Sequence, residues 1–387
     1  MMDYEVIVAG LGAMGSASLY QLARAGVCVL GLDRFTSPHE FGSSHGDSRI
    51  TRLAIGEGAH LTPLAQRSHE LWRQIERDSG QTLLTQCGAL MISSDGTLVP
   101  VHGASFFTAT LQTARRHRIT HALLDARTIR SRFPQFRVRD HEYGYYEPEA
   151  GFVRPEACIS AQLSLAERQG AHVHMSERLW GFERDGAGVR VITELGSYRA
   201  RRLILAVGAW MPELLGTSFA AFFRITRQVL NWFAVAENPE LFAPERCPVF
   251  IWQLPEGERM LYGFPALDGP FGGVKVASEQ DRVATTADSV RRDVEKAESE
   301  DFYRDYVVPN LRYLSARCLK ARSCLYTQTT DFGFIVDAHP SSPQVLIVSA
   351  CSGHGFKHSA ALGEALCQWG MLGRLPESFG VFGLGRF

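Results

Sequence analysis

The amino-acid sequence predicts an α/β protein in which a Rossmann-type dinucleotide-binding domain is interleaved with a second, strand-rich domain. Three observations support this fold class: a glycine-rich turn after a short apolar strand near the N-terminus, a second apolar strand that ends in a small-residue turn, and an α/β pattern that returns near the C-terminus. A length of 387 residues suits two domains. No low-complexity linker separates them, so we expect them to be intertwined.

The composition argues against several classes of protein. The chain carries 40 basic and 41 acidic side chains, and this balance disfavours a nucleic-acid binder that works through a general basic field. No apolar run approaches the roughly 20 residues of a membrane span, and the N-terminus lacks the pattern of a signal peptide. The eight cysteines form no CxxC pair. The sequence therefore predicts a cytoplasmic protein with reduced thiols, no bound metal and no membrane partner.

The first turn has the context that dinucleotide binding requires. The segment 4–9 is short, mainly apolar and rich in β-branched residues, as expected of a buried strand. Gly10, Gly12 and Gly15 follow it in GxGxxG spacing. A helix-like segment over 14–25 and a second strand over 27–32 come next, and the strand ends in Asp33. Such a turn brings backbone N–H groups to a pyrophosphate, and the acidic residue accepts hydrogen bonds from a ribose. The motif by itself does not distinguish NAD from FAD.

The rest of the chain alternates between the two predicted domains. The apolar strand 202–207 and its small-residue turn favour a flavin domain, because flavoproteins often return to the nucleotide domain late in the chain. We assign 1–85, 145–218 and 321–387 to the dinucleotide-binding domain, and 86–144 and 219–320 to a substrate domain. Within the latter we expect mostly strands, followed by a helical stretch over 281–305.

Three further segments carry a family resemblance: GSSHGDSRITR (42–52) with GEG (56–58), SCLYT (323–327) with the residues up to 337, and SGHGFK (352–357). Together with the glycine motif they resemble the monomeric sarcosine oxidases and N-methyltryptophan oxidases, which are amine-oxidising flavoproteins. The resemblance covers nearly the whole chain in matching order. It implies an FAD domain interleaved with a substrate domain of mixed sheet, and FAD held covalently at its 8α-methyl group by a cysteine. Here the matching residue is Cys324, and Cys351 is its main competitor.

The resemblance also implies the reaction and its residues. A secondary amino acid is oxidised to an imine, O2 is reduced to H2O2, and the imine is hydrolysed. Lys275 would activate O2, Arg49 would lie against the flavin, and Tyr262 would act beside them. The remaining positions would hold substrate or cofactor; they are Arg52, Lys357, Tyr326 and Tyr262 for the substrate, and Ser43, Arg49, Gly353, Gly355 and Lys357 for FAD.

One position departs from the family pattern. Glu279 stands four residues after Lys275, where the family often has a histidine. If it faces the substrate, it adds an acceptor and a negative charge to the pocket, which favours a substrate with an extra donor or cation. Ile251 and Trp252 are expected to wall the same cavity. The resemblance leaves the particular secondary amine open.

Several alternatives remain at this stage. A related biosynthetic oxidase would desaturate a cyclic amino or imino acid. A dehydrogenase would use another electron acceptor, and then Lys275 would have no role with oxygen. An NAD-dependent reductase would carry no chromophore, and a non-catalytic flavin-binding protein would show no bleaching with substrate. If the protein is an FAD-dependent oxidase, as the resemblance favours, we expect its partners to be a small amine or amino acid and O2, and the protein to be a monomer.

The small number of lysines and their positions support this interpretation. Only four of the 40 basic residues are lysines, and the others are arginines. Lys275 and Lys357 lie in segments where the family needs a cation near flavin or substrate. Lys296 and Lys320 lie outside the motifs, and we expect them to be solvated.

Overall fold

The computed structural model describes residues 3–93, 106–254, 260–280 and 283–387. Within these residues the chain forms strands β1 to β20, which are, in chain order, Tyr4–Ala9, Val29–Leu32, Arg49–Thr51, Leu84–Thr85, Ala89–Ser93, Ala122–Asp125, Tyr143–Glu147, Gly151–Val153, His172–His174, Leu179–Asp185, Gly188–Thr193, Ser197–Leu205, Phe223–Val235, Val249–Gln253, Met260–Gly263, Val274–Ser278, Ala284–Thr285, Leu314–Thr329, Ile335–His339 and Ser342–Ser349.

The α-helices of the same residues alternate with these strands. Helices α1 to α10 are, in chain order, Ala13–Arg24, Thr62–Ser79, Phe106–Arg116, Ala126–Arg132, Pro155–Arg168, Met211–Leu215, Thr217–Ala220, Lys296–Phe302, Val308–Asn310 and Ser359–Leu372. A short π-helical segment, Tyr303–Val307, joins α8 to α9. No helix among the described residues is both long and apolar enough to cross a membrane.

The first sheet is the predicted Rossmann-type unit. Its central strands run in the order β12–β1–β2–β9 and are parallel, with Val8 of β1 opposite Ile204 on one side and Gly31 on the other. β20 pairs parallel with the end of β12, whereas β10, β11 and β19 join antiparallel. Helices α1, α5 and α10 pack on one face, where apolar side chains from both sheet and helices form one buried cluster. The carboxyl ends of β1 and β2 therefore open toward a single crevice, where open α/β sheets bind ligands.

The second sheet is mixed, as expected. Its strands run β17–β13–β16–β15–β14–β5–β7–β6, and β18 lies beside β13. The pair β14–β5 is parallel and the other pairs are antiparallel. One face packs on an apolar core that includes Trp252 and Phe250, while the other carries Ile251, Tyr262 and Lys275. The α/β fold class with two interleaved units is confirmed.

Details of the second unit differ from the sequence-based expectations. Trp252 points away from the cavity, because side chains alternate along β14 and only Ile251 shares the face of Tyr262. The helical stretch expected over 281–305 is wrong for its first half. Residues 281–282 lie outside the described residues, Ala284–Thr285 is a strand, and α8 begins only at Lys296, where Glu295 and Glu298 form a capping box.

The predicted domain ranges cut two strands. The expected boundary at residue 144 falls inside β7, and the boundary at residue 320 falls inside β18. Both strands pair throughout within the second sheet. Residues 145–147 and 321–329 therefore belong to that sheet. The chain enters the first unit only after them.

Candidate active site

The glycine turn leaves no space for side chains at two positions. Gly10 has a φ of +86°, and a Cβ there would lie 2.5 Å from the carbonyl oxygen of Ala206 in the second small-residue turn. A Cβ on Gly15 would lie 1.7 Å from the carbonyl oxygen of Gly10. Glycine at both positions lets α1 begin directly against the ends of β1 and β12. The helix N-terminus, with Gly12 as its N-cap, then opens toward the crevice.

Asp33 is buried at the end of β2 and is fixed by the same turn. Its Oδ2 accepts a hydrogen bond of 2.7 Å from the backbone N–H of Leu11, and its Oδ1 accepts one of 2.8 Å from that of Phe35. His39 Nε2 also lies 3.5 Å from Oδ1. A carboxylate has about four acceptor positions, so Oδ2 keeps one that is available to a further donor. The two backbone hydrogen bonds thus fix the orientation of Asp33 beside the glycine turn.

One cavity connects this turn with the second sheet. Its wall includes Gly10, Gly12 and Asp33 at one end and Ser43, Arg49 and Tyr326 at the other, and it also includes Cys351, Gly353 and Gly355. The buried Oγ of Ser43 has no hydrogen-bond partner among the described residues. A helix N-terminus, a buried carboxylate and this continuous cavity fit FAD.

Arg49 and Cys324 meet at the far end of the cavity. The guanidinium donates to the carbonyl oxygens of Ser48 at 2.8 Å and Ser43 at 2.6 Å, and its Nη2 lies 3.5 Å from Sγ of Cys324. Burial raises the pKa of the Cys324 thiol, and the Arg49 cation opposes that rise. Cys324 is itself buried behind the cavity wall, whereas Cys351 lies on the wall.

Lys275 is buried on the second sheet beside the same segment. Its Nζ donates hydrogen bonds of 2.8 Å to the carbonyl oxygens of Gly46 and Ser48, and it lies 3.9 Å from the ring centre of Phe264. Burial and the Arg49 cation lower the pKa of Lys275 well below its ordinary value, while the Asp47 carboxylate opposes this shift. The site therefore holds an ammonium group that loses its proton more readily than an exposed lysine.

Two tyrosines and Glu279 lie on the second sheet, on or directly after its strands. The hydroxyl groups of Tyr262 and Tyr326 lie 3.4 Å apart. Burial raises the pKa of Tyr262 to about 12 and that of Tyr326 well above its ordinary value, and the Glu279 carboxylate adds to both shifts. Lys275 and Glu279 are separated by an even number of residues at the end of β16, so the extended backbone directs both toward the face of Tyr262.

A buried ion cluster joins the two expected substrate cations. Arg52 Nη2 lies 2.5 Å from one oxygen of Glu57, and Lys357 Nζ lies 3.5 Å from the other. Lys357 also donates to the carbonyl oxygen of His354 at 2.6 Å. The two cations hold the pKa of Glu57 well below its ordinary value against the effect of burial. The cluster carries one excess positive charge when Lys357 is protonated, and two donors converge on carboxylate oxygens.

The predicted site residues thus fall into two groups. The residues on the cavity wall are Gly10, Gly12, Asp33, Ser43, Arg49, Tyr326, Gly353 and Gly355. Those behind it are Gly15, Arg52, Lys275, Cys324 and Lys357, which are buried, and Tyr262, which is half-buried. Direct contacts of Arg49 with Cys324 and of Tyr326 with Tyr262 connect the groups. Glu279 raises the pKa of both tyrosines but lies outside this wall and lines a second cavity.

Residues that sequence reasoning missed complete the site. Glu57 has no assigned role in the sequence analysis, yet it bridges Arg52 and Lys357. Glu156, at the start of α5, accepts hydrogen bonds from the backbone N–H groups of Gly46 at 2.5 Å and Asp47 at 3.1 Å. The expectation that Lys320 is solvated is wrong, because its ammonium pairs with Asp47, whereas Lys296 is exposed as expected.

The fold and this cavity define a dinucleotide-dependent oxidoreductase. The chain belongs to the FAD dependent oxidoreductase family, whose model matches residues 5–369. It is 38% identical over 380 residues to monomeric sarcosine oxidase of Streptomyces avermitilis, a match that covers 98% of this chain and 96% of the relative. It is 30% identical over 392 residues to N-methyl-L-tryptophan oxidase of Yersinia pestis, with full coverage of both chains at 100%.

The solved structures show the same fold. A Tyr258Phe mutant of NikD, described as an unusual amino acid oxidase essential for nikkomycin biosynthesis, matches with a TM-score of 0.83 and 21% identity, over 99% of this chain and 97% of that one. Glycine oxidase from Geobacillus kaustophilus matches with a TM-score of 0.77 and 16% identity, over 99% of both chains. At these identities the likeness concerns the fold alone.

Proposed function

We propose that this protein is an FAD-dependent oxidase of N-methyl or other secondary amino acids. The observation that carries the proposal is the buried cluster of Arg52 and Lys357, since two converging cations suit a substrate carboxylate. The similarity to sarcosine and N-methyltryptophan oxidases supports it. The amine and O2 give an imine and H2O2, and water then splits the imine into an amine and an aldehyde.

The residues of the chain divide the task. Arg52 and Lys357 bind the carboxylate, with Glu57 holding both cations in place until the substrate arrives. Tyr262 and Tyr326 orient the amine, and Arg49 places positive charge where the ring of the cofactor becomes negative. Lys275 presents a buried cation for the reduction of O2. When bound, FAD would supply the redox chemistry, namely acceptance of the hydride equivalent from the carbon next to the amine nitrogen and transfer of electrons to O2.

A screen of secondary amines for H2O2 formation tests the proposal. Sarcosine, N-methyltryptophan, proline and pipecolate cover the acyclic and cyclic classes. We expect H2O2 with at least one of the N-methyl amino acids and none with the corresponding amines that lack a carboxylate. Oxidation that is faster with the cyclic pair would favour a desaturating oxidase. Turnover only with a dye as electron acceptor would point to a dehydrogenase.

We further propose that Cys324 holds the flavin covalently. The contact of its Sγ with Arg49 supports this role, because a nearby cation favours the thiolate. Addition of this thiolate at the 8α-methyl carbon, with loss of a methyl proton, would leave the flavin reduced by two electrons, and O2, the co-substrate of the proposed reaction, would reoxidise it. We expect the yellow chromophore to remain with wild-type protein after acid precipitation and to be released from Cys324→Ser. Cys351→Ser is the matched control and should retain it. Release of the chromophore from Cys351→Ser alone would indicate that Cys351, on the cavity wall, holds the flavin.

The substrate clamp predicts a pH dependence of ligand binding. Burial lowers the pKa of Lys357 to about 8, which the Glu57 carboxylate opposes. A lysine with a lowered pKa is charged below that pH and loses its charge above it, so an anionic ligand binds more weakly as pH rises through about 8. The measurement is the affinity for methoxyacetate, a carboxylate without an amine, across about pH 6 to 10. In Lys357→Arg the weakening near this pH should disappear; its persistence there would exclude Lys357 as the titrating group.

Glu279 would add a carboxylate to the substrate pocket. Sarcosine has no side chain with a donor or cation that could pair with it. The effect of Glu279 on the pKa of both tyrosines supports its place near the amine. We expect Glu279→Gln to lower kcat/KM about tenfold for N-methyl amino acids with a cationic or donor side chain, as for a lost charge-assisted hydrogen bond. The value for sarcosine should stay within about twofold. An equal loss for both substrate types would place Glu279 outside the pocket.

We retain three broader expectations as proposals: a cytoplasmic location, a monomer, and domain ranges close to those given above. None of the eight cysteines, all of which lie in the described residues, forms a disulfide, which suits a reducing compartment. Size-exclusion chromatography coupled to light scattering tests the monomer. A mass of twice 42.9 kDa would contradict it.

A further inference from the structure

Lys320 lies in a row of three side chains that crosses the second sheet. Trp232 of β13 is opposite Lys320 of β18 on one side and opposite Lys275 of β16 on the other. The two ammonium groups lie 4.7 Å and 5.6 Å from the indole, Lys320 being the nearer. Two of the four lysines in the chain therefore flank one buried tryptophan. Such cation–aromatic contacts are favourable and fix the position of each ammonium.

Lys320 is also tied to the segment that holds Lys275. Its Nζ lies 2.9 Å and 2.8 Å from the two carboxylate oxygens of Asp47. The side chains are 34% and 24% exposed, so this ion pair is partly shielded from solvent. An exposed ion pair contributes little to stability. This pair is doubly hydrogen-bonded and packed on Trp232, and it joins residues 273 positions apart in the chain.

The segment around Asp47 has a backbone that needs external support. Asp47 has a φ of +68°, and Gly46 before it has a φ of +95°. The N–H of Ser48 donates to the carbonyl oxygen of Gly46 at 2.8 Å, which closes a tight turn of three residues. A turn of this kind with positive φ at its centre is rare and strained. We call residues 46–48 the oxygen-side turn, because both of its terminal carbonyl groups accept from Lys275.

Three side chains hold the oxygen-side turn. Glu156 accepts from its N–H groups, Lys275 donates to its carbonyl groups, and Lys320 holds its only ionised side chain. Two of the three N–H donors of the Lys275 ammonium are thereby used, and the ammonium also contacts the rings of Phe264 and Trp232. The direction of the third donor depends on where the two carbonyl oxygens lie. Arg49 follows the turn directly, but its guanidinium is also held by the carbonyl oxygen of Ser43, which lies outside the turn.

We infer that Lys320, through its ion pair with Asp47, is a positioning residue that fixes the oxygen-side turn and thereby directs the Lys275 ammonium for the reduction of O2. The inference rests on the proposed role of Lys275. Lys320 is not part of the cavity wall, and its ammonium contacts Asp47 and Trp232. The proposed substrate clamp is the separate cluster of Arg52, Glu57 and Lys357, so substrate oxidation should not depend on Lys320.

Kinetics of the two half-reactions test this inference. In Lys320→Met we expect the rate of reoxidation by O2 to fall about tenfold, equivalent to about 1.4 kcal/mol, with anaerobic reduction within about twofold of wild type. Lys320→Arg, which can still pair with Asp47, should restore most of the rate. Lys296→Met is the matched control, because it removes an exposed lysine paired with Glu300. A parallel fall of both half-reactions, or no change in reoxidation, would overturn the inference.

A second pair of variants distinguishes the tether from simple charge. If Lys320 acts by holding Asp47, then Asp47→Asn should slow reoxidation as well. The double variant Lys320→Met/Asp47→Asn should be no slower than the slower single variant, since both changes break one contact. Reoxidation at the wild-type rate in Asp47→Asn would show that the tether is not needed. Normal melting temperature and flavin content in each variant exclude misfolding as the cause.

The small number of lysines allows a readout that does not involve turnover. Protein labelled with ¹³C at lysine Cε gives four signals, and Lys275→Met identifies the one from Lys275. We expect this signal to move in Lys320→Met and to stay in Lys296→Met. An unmoved Lys275 signal contradicts the positioning role even if kinetics change. If Lys275→Met itself leaves reoxidation intact, the proposed role of Lys275 fails instead, and the two failures are distinguishable.

Discussion

Replacing Lys275 with methionine should slow reoxidation of the reduced enzyme by O2 about 100-fold or more. Reduction of O2 begins with electron transfer that creates a negative charge, and a buried cation stabilises that charge far better than solvent-exposed groups do. Lys275 is buried and is held by two carbonyl oxygens, so it needs no rearrangement to act. Methionine keeps the length and the apolar contacts with Phe264 and Trp232 but has no charge.

The half-reactions separate this role from a general defect. Anaerobic reduction by substrate, followed by stopped-flow absorbance, should remain within about tenfold of wild type. Lys275→Arg tests whether any cation suffices. Its larger planar group must displace neighbours in this buried site, where the Phe264 ring centre lies 3.9 Å from the ammonium, so we expect partial activity. Equal losses in reduction and reoxidation would contradict the assigned role.

Replacing Arg52 with methionine should lower kcat/KM for N-methyl amino acids about 100-fold or more, which is the usual cost of removing one partner of a buried charge pair. The guanidinium is 2% exposed, stacks 5.0 Å from the ring centre of Phe106, and pairs with Glu57. Its removal leaves Lys357 alone to bind the substrate carboxylate. The loss should therefore lie mainly in the affinity for the substrate.

The control for Arg52 is a ligand without a carboxylate. An amine of this kind, such as N-methylbenzylamine, should be bound equally weakly by wild type and by Arg52→Met. Arg67→Met removes an exposed arginine paired with Glu364 and should leave kcat/KM unchanged. If Arg52→Met weakens binding of this amine and of the amino acid by the same factor, the clamp is not a carboxylate site.

Local sequence was sufficient for the nucleotide end of the site. The strand, turn, helix and second strand that carry Gly10, Gly15 and Asp33 are consecutive, so spacing alone predicts that they meet. The closing contact with Ala206 joins two small-residue turns, both visible in the sequence. The helical stretch predicted over 281–305 starts too early. Charged residues at helical spacing also occur in the turns that lead to Lys296, where α8 begins.

The substrate end depended on pairs that are distant in the chain. Lys320 and Asp47 are 273 residues apart, and nothing in the spacing around either residue indicates their ion pair. One signal was present: Lys320 precedes Cys324 by four residues in β18, so alternation places both side chains on the same face. Glu57 is similar, since only the folded chain shows that Lys357 reaches it.

The most direct test of the account is an anaerobic titration of the purified yellow protein with an N-methyl amino acid. If the protein is an FAD-dependent amine oxidase, we expect the visible flavin absorbance to be lost when the amine is added. The absorbance should return, with formation of H2O2, when O2 is admitted. A colourless protein that binds only a nicotinamide nucleotide, or a yellow protein whose spectrum no secondary amine alters, would contradict it.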